Sequence, residues 1–222
     1  MNRLQSELRR LYGLAGADTR QVRTLVLELA RPADWEALSQ VWRGVQAELQ
    51  LPAPAIAVSG TDGLQLWFSL QQPVDSAAAA AFLSRLQQRY LAGVTPARVR
   101  ATPSDTGWQA PPVPAQQPGT VNWSAYVAPD LAPVFADTPW LDIEPGAEGQ
   151  ADLLAKLESI KPAAFDAAMK ALAPAQPSGP PPASGPGDVD PRRFLQRVLN
   201  DESAALALRI QAAQALLERG GG

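Results

Sequence analysis

The sequence predicts an α+β protein with a ferredoxin-like, RRM-like β-α-β-β-α-β core. Three observations predict it: a nearly uninterrupted aliphatic run over 22–30, two segments of helical periodicity that begin near Asp34 and Asp75, and a glycine turn at 60–63 between two strand-like runs. In that arrangement four antiparallel strands carry both helices on one face, and the opposite face is left free.

Each element has a local reason. Leu4, Leu8 and Leu11 recur at helical spacing over 2–12, and Gly13 and Gly16 end that short amphipathic helix. The run over 22–30 reads as a central strand buried on both faces, with Glu28 the one acid inside it. After Pro32, Asp34 caps a helix whose Leu38, Val41, Trp42, Val45 and Leu49 share a face, and Pro52 and Pro54 stop it. Residues 55–59 and 64–70 form a hairpin around the Gly60-Thr61-Asp62-Gly63 turn. Asp75 or Ser76 begins a second helix with Ala79, Phe82, Leu83, Leu86 and Tyr90 inward and Gly93 as its left-handed cap, and 97–101 closes the series as a strand.

Beyond the core, 103–119 is a proline-rich loop without periodicity. The aromatic and apolar segment 122–135 is expected to pack across the sheet or its edge as a broken helix. Two helices should follow, one with Leu153, Leu154, Leu157 and Ile160, the other opening at Pro162 with Phe165, Met169 and Leu172. The domain plan is therefore an α+β unit with a helical extension over 1–172, a Pro/Gly-rich linker over 173–190, and a C-terminal αα-hairpin over 191–222. That hairpin carries too little core to stand alone and is expected to dock a protein partner.

Composition removes whole classes of chemistry. The 222 residues include no Cys and no His, so disulfides, Cys/His zinc sites and histidine-activated nucleophiles are excluded. No apolar run reaches signal-peptide or membrane-spanning length, so the expected location is cytoplasmic, with no membrane partner. Arginine supplies 16 of the 19 basic residues, as GC-rich bacterial coding would. Net charge is −3, distributed as +3 over 1–103, −6 over 104–172 and zero over 173–222. This imbalance allows a local nucleic-acid face but not a broad cationic footprint.

The informative window runs from Ser59 to Gln65. Its glycines either aim backbone amides at an anion or simply supply the positive φ a hairpin turn needs. Asp62, in the turn, is expected to be solvated. Glu28 and Gln65 lie on the central strand pair and share one surface if their registers agree. Trp67 and Phe68 point to opposite faces, so one is core; Trp67 either stacks a base or is covered by the 123–135 segment. Arg23, Arg98 and Arg100 are candidate phosphate contacts or ordinary solubilising charge.

Leu25-Val26-Leu27-Glu28-Leu29-Ala30 and Ser59-Gly60-Thr61-Asp62-Gly63-Leu64-Gln65 together resemble the archaeo-eukaryotic primase superfamily. Its first strand ends in Asp-x-Asp or Asp-x-Glu, and its hairpin reads Ser-Gly-x-x-Gly-x-His. The resemblance covers roughly 20–101. It implies a palm that binds nucleotide through Glu28, Ser59, Gly60, Gly63 and Gln65 and a divalent ion, Mg or Mn, through Glu28, with Asp142 in the place of a later acid. Single-strand contacts from Trp67, Arg23, Arg98 and Arg100 are expected from the open sheet face and the strand positions rather than from the resemblance. Ala30 and Gln65 replace the second metal carboxylate and the histidine, so no catalytic residue is assigned. The tail Phe194-Leu195-Gln196-Arg197-Val198-Leu199-Asn200-Asp201 and Leu208-Arg209-Ile210-Gln211-Ala212-Ala213-Gln214-Ala215-Leu216 is similar to helical segments of phage terminase small subunits.

The expected function is thus a catalytically impaired primase-like module that binds nucleotide or single-stranded nucleic acid in replication or a mobile element. The alternative is a structural or interaction protein without nucleic-acid activity, its tail docking a protein partner.

Overall fold

The computed structural model describes residues 2–13, 20–104 and 108–173, together with Ile210. Its elements run α1 (Arg3–Tyr12), β1 (Gln21–Ala30), α2 (Trp35–Ala47), β2 (Ala55–Val58), β3 (Gly63–Asp75), α3 (Ser76–Tyr90), β4 (Val99–Thr102), β5 (Ala115–Gln116), β6 (Trp123–Val127), α4 (Ala147–Ala155) and α5 (Pro162–Ala171). The chain is α+β. Six antiparallel strands form one sheet in the order β4-β1-β3-β2-β6-β5.

Alternation along β1 divides the core. Leu25, Leu27 and Leu29 join Leu64, Leu66 and Phe68 of β3 beneath α2, α3 and α5, with Leu38, Val41, Phe82, Leu86 and Phe165 closing that layer. Val26 and Trp67 face the other way, toward Leu4 and Leu11 of α1 and Ala151 and Leu154 of α4. Caps fix the helix starts: Asp34 accepts the Ala37 N–H at 3.0 Å, Asp75 accepts that of Ala77 at 2.8 Å, and Asn2 and Gln5 form a capping box on α1.

The structure corrects four expectations. The second sheet face is not free, because α1, α4 and the segment through Val113 cover part of it. Residues 122–135 are not a broken helix; they form β6 and then a 3₁₀ turn over Ala132–Phe135. Ala125 and Val127 enter one core layer and Tyr126 the other, so an apolar stretch without helical period suits a strand buried on both faces, and β2 offers it an edge. Helix α3 ends at Tyr90 with Leu91 as its cap, ahead of Gly93. Leu157 and Ile160 lie outside α4, which ends at Ala155, and Ile160 forms a parallel bridge with Leu70.

The linker over 173–190 and the hairpin over 191–222 lie outside the described residues, apart from Ala173 and Ile210. Among the described residues no helix is long and apolar enough to cross a membrane.

Candidate functional site

Strand register places Glu28 opposite Gln65 on one side and Arg100 on the other, while Gln65 in turn faces Ala57. The parity of three adjacent strands therefore gathers an acid, an amide and a guanidinium on one face. The Gln65 Nε2 donates to Glu28 Oε2 at 2.6 Å, and Arg100 Nη1 donates to Glu28 Oε1 at 2.7 Å. Trp67 Nε1 donates to Gln65 Oε1 at 2.8 Å, and Arg100 Nη2 reaches Asp62 Oδ2 at 3.3 Å. A polar relay thus runs Asp62–Arg100–Glu28–Gln65–Trp67.

Its interior is buried: Glu28 is 1% exposed and Gln65 fully buried. Burial pushes the Glu28 carboxyl above the ordinary carboxylate range, against the opposing pull of the Gln65 hydrogen bond and the Arg100 charge. Both carboxylate oxygens carry a donor, which is what an ion in the protein interior requires. Gly63 makes room for this acid, since a Cβ there would lie 2.9 Å from Glu28 Cγ.

The glycine turn is also self-contained. Ser59 Oγ accepts the N–H groups of Thr61 at 3.1 Å, Asp62 at 3.2 Å and Gly63 at 2.9 Å. The Ser59 N–H donates to Gly63 O and the Gly60 N–H to Pro139 O, each at 2.9 Å. Gly60 sits at φ +81°, the left-handed region that favours glycine. The amides from 59 to 63 therefore point at acceptors inside the protein, and the serine hydroxyl takes the position an anion would need.

The remaining candidates are engaged in the same way. Trp67 is 8% exposed and meets Tyr12 and Tyr126 edge-on at 5.4 and 6.0 Å between ring centroids. Arg23 Nε donates to Leu70 O at 3.0 Å, and Arg98 donates to Ala30 O at 3.3 Å and Pro32 O at 2.8 Å. Asp142 is exposed and accepts the Trp140 indole N–H at 3.2 Å. Its neighbour Leu141 is bridged to Trp123 of β6, which β2 and β3 separate from β1, so Asp142 does not join Glu28.

Among the described residues no cluster of three or more acids could hold a metal ion. Nor does the donor set suit one, because Glu28 already binds a guanidinium and an amide. Two participants escape a reading of the sequence. Asp62 is not simply solvated but pairs with Arg100, and Tyr12 covers Trp67 from α1. The sequence puts Arg100 on a neighbouring strand, and its pairing with Glu28 follows from the β1–β4 register.

No protein-family model matches this chain, and no curated protein matches it.

Proposed function

We propose that this chain is a non-catalytic, primase-like module in which the wall once suited to nucleotide chemistry has become core, and that it works as a structural or interaction protein. The finer fold belongs to this proposal: a ferredoxin-like unit formed by β1-α2-β2-β3-α3-β4, supported by the strand order β4-β1-β3-β2. The family reading is supported by Glu28 and Gln65 meeting at the two motif positions, across the central strand pair.

The observation that carries the functional reading is the closed relay from Asp62 to Trp67. A nucleotide-binding palm needs unspent donors and carboxylate oxygens at an accessible wall. Here the acid, the amide and the indole satisfy one another, and the turn amides are taken up by Ser59 Oγ and backbone carbonyls. Single-strand stacking needs an accessible aromatic face, and Trp67 presents its rings to tyrosines instead.

The test is an anisotropy titration of the full chain with labelled oligothymidylate and with a labelled ATP analogue plus manganese, at low and then raised salt. The expected result is no saturable binding under any of these conditions. Binding that weakens with salt, or nucleotide binding that needs manganese and is lost in Glu28→Gln, would overturn the proposal.

A further inference from the structure

Two cavities adjoin at the end of the sheet remote from the glycine turn, and they share Ala53, Lys156 and Leu157 as a common wall. One, of about 350 Å³, lies where β2 begins and β6 ends, and Trp42, Ile56, Val127 and Leu153 line it. Pro54 and Pro129 extend this mainly apolar lining, which Asp130 and Lys156 interrupt at its margin. The other, of about 440 Å³, opens between the turn after α2 and the start of α5, where Gln50, Ser159, Lys156 and Lys161 stand. An apolar chamber therefore continues into a polar one.

Charge distinguishes the polar chamber. The chain has only three lysines, and two of them, Lys156 and Lys161, border it. Neither ammonium group has a hydrogen bond or ion pair among the described residues, whereas Arg3, Arg89 and Arg100 each bind a carboxylate. Glu158 also reaches this chamber and Asp130 reaches the apolar one, so the pair of cavities does not form a broad cationic field. A polyanion would meet those acids. A single anionic group held beside Lys156 and Lys161 would not need to.

The turn that shapes the polar chamber is built at a cost. Gln50 holds φ +55°, and Leu51 N–H bonds back to Val45 O, an arrangement in which glycine is the favoured residue. Gln50 Nε2 secures the turn by donating to Ala47 O at 2.8 Å, and the residue forms part of the cavity wall.

We propose that the two chambers form one binding site for an amphipathic monoanion, with an apolar body against Trp42, Ile56, Val127 and Leu153 and a carboxylate between Lys156 and Lys161. The apolar chamber holds the volume of about a dozen waters at roughly 30 Å³ each, which suits an aliphatic body of about ten heavy atoms. Both cavities fall within the size range of small-molecule sites, apolar with a few polar groups that fix orientation. A medium-chain aliphatic carboxylate meets both requirements.

The test is calorimetric titration of the full chain with decanoate, decanol and decylammonium below their aggregation concentrations. Decanoate should saturate one site per chain, with decanol and decylammonium at least about tenfold weaker. In Lys156→Glu/Lys161→Glu, both positions being exposed, the unfolding midpoint should hold while decanoate affinity falls at least about tenfold. Leu153→Trp, which fills the apolar chamber, should abolish binding while its far-UV circular dichroism matches that of the parent chain. Absence of saturable decanoate binding, equal affinity for decylammonium, or an unchanged affinity in the double lysine variant would each overturn the proposal. None of these outcomes bears on the Asp62–Trp67 relay, so this site and the reading of the former palm stand or fall separately.

Discussion

Glu28 and Gln65 face each other across β1 and β3 at a donor–acceptor distance of 2.6 Å, both sealed from solvent. A carboxylate in such a place is held by its partners alone. Arg100, on the neighbouring strand, is the only cation among the described residues that binds it, and Arg100 keeps one edge in solvent beside Asp62.

Arg100→Met should expose that dependence through pH. Removing one partner of a buried pair typically costs about 3–5 kcal/mol, because the other charge is left uncompensated. Here the cost is expected near the low end, since Gln65 stays in place, and only where Glu28 would be ionised. Urea unfolding should show a loss of about 3 kcal/mol at pH 8 that shrinks as the solution is acidified and Glu28 takes up a proton. A loss of the same size at all pH values would mean that Arg100 contributes packing rather than charge.

Glu28→Gln should flatten the pH dependence of the native protein. Burial raises the folded-state pKa of Glu28 above its unfolded value. The folded state therefore binds more protons in that interval, and the contribution is fully present below the unfolded pKa and lost as pH rises through the folded one. Glutamine mimics the protonated form. The variant should match or exceed wild-type stability at pH 8 and lack the decline in stability between the two pKa values, as urea midpoints across pH 4–8 would report.

Some of this site was legible in the residues and some was not. The two-residue period fixes the face of Glu28 within β1, and the hairpin fixes Gln65 against Ala57 of β2, but their meeting on one wall rests on the β1–β3 register, which no local turn sets. Asp34 announced α2 through its capping chemistry. What stayed hidden depended on distant partners. Residues 123–127 become a strand because β2 has an edge to fill, and nothing local states that. The covering of Trp67 by Tyr12 likewise depends on where α1 docks, which its leucine spacing leaves open. Asp62 belongs to the relay only because β4 returns beside β1 and delivers Arg100.

Ser59→Ala should loosen the turn. One hydroxyl oxygen accepts three backbone amides, and the Gly63 N–H among them is buried. Leaving a buried donor without an acceptor costs about 1–3 kcal/mol. Native-state hydrogen exchange should find faster exchange at the amides of Thr61, Asp62 and Gly63, with β1 little changed. Unaltered exchange at Gly63 would show that another acceptor takes over.

Gly63→Ala tests why glycine stands at the second glycine position of the turn. A phosphate cradle would require it for ligand approach, yet the structure supplies a different reason. A Cβ at 63 would lie 2.9 Å from Glu28 Cγ, 3.0 Å from Ala30 Cβ and 3.0 Å from Leu29 O. The carbonyl belongs to the strand backbone and cannot swing away, so β1 and β3 must shift apart or Glu28 must leave its partners. Overpacking of this kind costs about 1–3 kcal/mol. Because the added methyl presses on the acid itself, its effect should not add to that of Arg100→Met, and a double-mutant cycle should give a coupling of at least about 0.5 kcal/mol. Simple additivity would mean that the methyl is absorbed elsewhere and that Gly63 does not serve the buried relay.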